Sequence, residues 1–150
     1  MRALLDVNVL VALLDGAHLH HRAATEWLSA NVKKGWASCP LTQNGCVRIL
    51  SLPAYRNAQT PTAVADRLSR ATADRSHVFW PDSVSLLDPD RLRWDHVLTS
   101  RQITDVYLLA LAVEKGGRLV TLDRGISIGA VPGASAKNLV MIGAAESVSK

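Results

Sequence analysis

Apolar residues in this chain come in short unbroken runs, and between the runs they recur at about every third or fourth position. Unbroken runs read as strands covered on both faces, and the longer period reads as helices with one buried side. Ala3–Leu5 predicts the first strand. Asn8 then stands where a cap belongs, ahead of a helix carrying Val9, Leu10, Ala12 and Leu13 that Gly16 stops. A second helix is expected over residues 20–33, burying Ala24, Trp27, Leu28 and Val32, with Gly35 at its end. Residues 36–39 predict strand two, ended by Pro40, and Thr42 opens a helix through Val47 and Leu50.

The stretch SLPAYRNAQTPT (51–62) reads as a loop, with two prolines and few large apolar side chains. Pro61 suits the first turn of a helix containing Val64, Leu68 and Ala71. Residues 77–80 predict strand three, stopped by Pro81, and residues 82–101 are polar and helical only in part. ITDVYLLALAVEKGG (103–117) is the clearest helix. Thr104 is its expected cap, Leu108, Leu109 and Ala112 share a face, and Gly116 and Gly117 end it. Residues 118–122 and 139–142 give strands four and five. Strands separated by helices imply right-handed crossovers, hence an α/β fold with a mainly parallel sheet and helices on both faces.

In such a sheet, ligands sit beyond the carboxyl ends of the strands, where the strand order switches. Asp6 closes strand one, Asp123 follows strand four, and Asp105 lies in the first turn of the helix leading into strand four. If strands one and four are neighbours, three carboxylates meet at one rim. Bare like charges so close would be costly, and a hard divalent cation such as Mg²⁺ or Mn²⁺ reverses the sign. Taken singly, Asp105 is also an ordinary acid at a helix start and Asp123 an ordinary turn residue before Arg124 and Gly125. Together they favour a metal site.

Composition narrows the setting. The 150 residues are 48% hydrophobic and 20% charged, which suits one globular domain over residues 1–150 and excludes a disordered chain. Seventeen Lys and Arg against thirteen Asp and Glu give a net charge of +4, which favours a polyanionic partner without requiring one. No apolar run approaches the ~18 residues of a membrane span, and Asp6 interrupts the first one short of signal-peptide length. Cys39 and Cys46 match no zinc spacing and read as buried thiols in a reducing compartment, so a cytoplasmic location with no membrane contact is expected.

Two stretches carry a resemblance. LLDVNVLVALL (4–14) is similar to the opening D-x-N-V-L signature of the PIN domain, and ITDVYLLALAVEKGGRLVTLDRG (103–125) resembles its second half. Among PIN proteins the chain looks most like the VapC toxins of bacterial VapBC toxin–antitoxin pairs. The resemblance implies a three-layer α/β/α sandwich and a Mg²⁺-dependent endoribonuclease, with Mn²⁺ an alternative ion. It further implies an RNA substrate, a VapB-like antitoxin and a homodimer. Asp6, Asp105 and Asp123 match the family's acidic positions, and so stand as both metal ligands and catalytic residues. A further acid, usually Glu, belongs on the helix after strand two. There PLTQNGCVRIL (40–50) offers only Gln43, Asn44 or Gly45. Asn8 and Thr121 either orient the acids or act as local caps.

Weaker signals are read more plainly. His18, His20 and His21 suit a solvated helix start, and the four tryptophans suit core packing. Arg48, Arg56, Arg101 and Arg124 are candidates for RNA phosphates. The helices over 20–33 and 62–73 are candidates for an antitoxin groove. A haloacid-dehalogenase-like phosphatase would want a second Asp where Asn8 stands, and a phospho-acceptor receiver would want acids at the exits that Pro40 and Pro81 occupy. A catalytically weak or inactive PIN-like module that binds protein or RNA is the remaining alternative.

Overall fold

β1 (Ala3–Leu5) is apolar at every position because helices cover both of its faces. The computed structural model describes residues 1–143 and places β1 at the centre of a five-stranded sheet. Its neighbours are β2 (Trp36–Ser38) and β4 (Arg118–Thr121), and the edges are β3 (His77–Phe79) and β5 (Leu139–Met141). Every pairing is parallel, in the order β3-β2-β1-β4-β5. The order reverses between β1 and β4, which is where the ligand crevice of such a sheet opens.

Alternate residues face opposite layers. Ala3, Leu5, Trp36 and Val120 pack with α1 (Val7–Leu14), α3 (Pro40–Leu50) and α4 (Pro61–Thr72). Leu4, Ala37 and Leu119 pack on the other face with α5 (Ile103–Glu114). The three layers thus follow from the strands' two-residue period. Cys39 and Cys46 are buried, free thiols, one in each core.

Several local expectations are corrected. The N-cap of α1 is Asp6 rather than Asn8, which is exposed on the second residue of the helix. The second helix, α2 (His21–Asn31), packs chiefly on α1 instead of the sheet. It therefore buries only Ala24, leaving Trp27 and Leu28 half-buried and Val32 38% exposed. Pro40 does not merely end β2 but occupies the first position of α3, where a missing N–H costs nothing. Before α5, Thr99 caps a short 3-10 turn (Ser100–Gln102), and Thr104 lies inside the helix.

Candidate active site

Leu5 pairs with Val120 in the β1–β4 ladder, so Asp6 and Thr121 are the next residues outward on each strand. The Asp6 amide donates to the Val120 carbonyl at 2.9 Å, extending the ladder past β1. Asp6 is only 3% exposed. Its Oδ1 accepts from the Val7 amide at 2.7 Å and its Oδ2 from the Thr121 hydroxyl at 2.7 Å. Thr121 Oγ1 also accepts from the Asp123 amide at 2.9 Å, and Asp123 Oδ1 accepts from the Gly125 amide at 2.7 Å. One hydroxyl thereby ties two acids together.

Asp105 comes from the first turn of α5 and reaches the same place. Asp6, Asp105 and Asp123 line one pocket of about 300 Å³. Asn8 and Thr104 stand around it too. The electrostatics record the crowding. Burial pushes the Asp105 carboxyl up to about 8, helped by its hydrogen-bonding contact with Asp123 and by the charges of Asp6 and Asp123. Burial likewise raises Asp6, against the opposing hydrogen bonds from Thr121 and Val7. Asp123 moves down, held by the Gly125 amide first and by Asp105 second. Burial and the neighbouring acids therefore favour the protonated form of Asp105 when no cation is bound.

The donor chemistry fits a hard divalent cation: carboxylate oxygens in a partly desolvated pocket, with excess negative charge and, among the described residues, no basic partner in an ion pair. Among the described residues, the acids are not already closed into a ligand set of three around one point.

α3 contributes no acid. Gln43 turns away, its amide donating to Ser38 Oγ at 3.0 Å, and Ser38 in turn contacts His77 Nε2 at 2.7 Å. Gly45 has no side chain, and a Cβ there would stand 2.7 Å from a Val7 methyl. Asn44 is the remaining position, and it reaches the pocket. Arg48, one turn further along α3, and Arg101 line it as well. Of the other two arginines, Arg124 donates to the Gly143 carbonyl at 2.9 Å, and Arg56 lies on the loop between α3 and α4.

A second hollow of about 300 Å³ was not legible in the sequence. His18 and His20, with ring centroids 5.8 Å apart, form one wall, and Asn8 and Asp123 join it to the carboxylate pocket. Burial, then the neighbouring His20, lowers the His18 imidazole and leaves it neutral. His21 instead bonds the Ala12 carbonyl at 2.7 Å and anchors α2 to α1. The tryptophans divide: Trp36 and Trp80 are core, Arg118 lies over the Trp27 ring, and Trp94 is largely exposed.

The family model of the PIN domain matches residues 3–130. Over 142 residues the chain is 47% identical to Ribonuclease VapC44 of Mycobacterium tuberculosis, covering 95% of this chain and 100% of that relative. Over 134 residues it is 42% identical to Ribonuclease VapC39 of the same organism, covering 89% and 96%. Among solved structures it is similar to VapC20 of Mycobacterium tuberculosis, described as a sarcin-ricin loop cleaving toxin. There the TM-score is 0.57 at 12% identity, over 80% of this chain and 87% of that one. It is also similar to VapBC2 of Rickettsia felis bound to a promoter DNA fragment, with a TM-score of 0.54 at 13% identity, over 82% and 89%. At such identities the structural likeness speaks for the fold alone.

Proposed function

The chain belongs to the PIN-domain family and, within it, to the VapC ribonucleases, and from that premise we propose which residues and which ion cut the RNA. It is an endoribonuclease, the toxin of a VapBC pair, with an antitoxin as its partner. VapC ribonucleases depend on divalent metal. In our reading the ion is Mg²⁺, with Mn²⁺ able to replace it, and Asp6, Asp105 and Asp123 hold it.

The observation that carries this is the convergence of three acids, from the exits of β1 and β4 and the start of α5, on one small pocket. A divalent cation bound there supplies Lewis acidity, lowering the pKa of water and polarising the scissile phosphate. The protein's part is placement. Val7 and Thr121 fix both oxygens of Asp6, so its outward lone pairs keep one orientation. The Gly125 amide fixes Asp123 from behind. A cation there would favour the ionised form of Asp105, whose carboxyl is otherwise held up at about 8 by burial. Asn8, exposed at the mouth, is placed to meet the incoming strand.

We read residues 1–150 as a single PIN domain and the active species as a homodimer. Leu87 and Leu98, more than 80% exposed on the segment before α5, support self-association. Among the described residues no helix is long and apolar enough to cross a membrane. The deciding experiment incubates the purified protein with RNA and Mg²⁺, with and without EDTA, beside Asp6→Asn. Cleavage is expected in the first tube alone. Cleavage that persists in EDTA or in the variant overturns the assignment.

A further inference from the structure

We infer that the site takes a single divalent cation and that Arg48 supplies the second positive charge, its guanidinium binding the RNA phosphate beside that cation. This rests on the reading that Asp6, Asp105 and Asp123 hold the ion.

The inference starts at Gly45. With no Cβ to strike Val7, α3 settles against the first turn of α1, immediately beyond Asp6. That approach brings Asn44 and Arg48 to the pocket that the carboxylates line. Asn44 and Arg48 are four residues apart, hence neighbours on one helix face, and both line the pocket. Where an acid would complete a second cation's ligands, α3 presents a neutral amide and a guanidinium.

Charge decides how many cations fit. Three carboxylates balance one divalent ion with one negative charge to spare, whereas a second ion would leave an excess of positive charge with no acid from α3 to meet it. Arg48 is already there, and among the described residues it forms no ion pair. Among the described residues the ion pairs join Arg22 to Glu26, Arg91 to Glu114 and His96 to Asp95; Arg48 and Arg101 share the pocket with three aspartates yet pair with none, and of the two it is Arg48 that stands on α3 one turn from Asn44. It stands at the exposed rim while Asp6 lies buried beneath. Acids below and a free cation above leave room for an anion between them. A phosphodiester bridging a bound cation and a guanidinium satisfies both, and the planar fork of arginine matches two phosphate oxygens at once.

The test counts ions and then weighs the arginine. Mn²⁺ binding is followed by electron paramagnetic resonance on the full-length protein, and affinity for a random-sequence 2′-O-methyl oligoribonucleotide is followed by fluorescence anisotropy in Mg²⁺. Wild type is expected to bind one Mn²⁺ and Asn44→Glu two. Arg48→Ala should still bind one Mn²⁺ while its affinity for the oligonucleotide falls about tenfold or more, and its salt slope drops by about 0.7. Arg48→Lys should recover part of the affinity. Two Mn²⁺ ions in wild type, or an Arg48→Ala protein with unchanged affinity and salt slope, overturns the inference and leaves the three-aspartate reading standing. No Mn²⁺ bound by wild type, or full binding by Asp6→Asn, overturns both.

Discussion

The Thr121 hydroxyl donates to Asp6 Oδ2 at 2.7 Å, joining residues 115 positions apart across the β1–β4 seam. The same oxygen accepts the Asp123 amide, so one side chain sets how two acids stand relative to each other. Thr121→Val preserves the shape and removes both bonds. The buried carboxylate then keeps only the Val7 amide on Oδ1 and lacks a donor at Oδ2, at a cost of about 1–3 kcal/mol, and loss of an orienting partner typically lowers activity about 10–100-fold. Thr121→Ser should retain most of both. Urea melts and RNA cleavage rates on the two variants decide the matter, and a Val variant with wild-type cleavage removes Thr121 from the site.

Cation-free stability should fall as pH rises. A carboxyl in the unfolded chain titrates near ~3.9, whereas Asp105 in the fold titrates at about 8 and Asp6 is also raised. Between those values the folded protein holds protons that the unfolded chain has lost, so each step up in pH favours unfolding. The contribution is complete below the unfolded value and gone above the folded one. Asp123, being lowered, acts oppositely and only toward the acid end. Melting temperatures in EDTA should therefore decline from about pH 5 to pH 8. Asp105→Asn should flatten the decline, and saturating Mg²⁺ should reverse it. A slope identical in the variant assigns the proton elsewhere.

Asp6→Asn should be inactive yet no less stable in EDTA at pH 7.5. The amide oxygen can still accept from Val7 or Thr121, and the variant removes a buried charge that the cation-free fold disfavours. Calorimetry beside the cleavage assay checks it. A large loss of melting temperature would mean that Asp6 is chiefly structural.

Gly45→Ala should destabilise by about 1–3 kcal/mol. Its Cβ would meet two Val7 methyls, at 2.7 and 3.0 Å, and a β-branched side chain cannot swing clear. Val7→Ala in the same chain should restore much of the loss. A double-mutant cycle that is strictly additive would show that α3 and α1 do not touch there.

The sheet and the three acids were legible because each rests on a local pattern. An unbroken apolar run interrupted by Asp6, and another followed by Asp123, mark strand exits without reference to the rest of the chain. What escaped depends on register or close approach. Asp6 caps α1 itself, so Asn8, the better-looking cap, is left exposed. Thr104 looked like a start signal, but the backbone was already turning from Thr99. Nothing in the order of residues says that α2 rests on another helix instead of the sheet, which is why Trp27 and Leu28 are less covered than their spacing suggests. The Gly45–Val7 contact and the His18–His20 hollow join segments whose meeting only the folded chain decides.

The central place of β1 bears on how such a chain can be made by a cell whose RNA it cuts. The first strand to leave the ribosome finds β2 early but must wait for β4, more than a hundred residues behind it, before Asp6 gains its partner hydroxyl. Until the segment through Asp123 has emerged, the growing polypeptide carries its acids on separate, unjoined pieces. With the three acids as the proposed site, assembly of that site is a late event in translation, which gives an antitoxin already present time to be waiting.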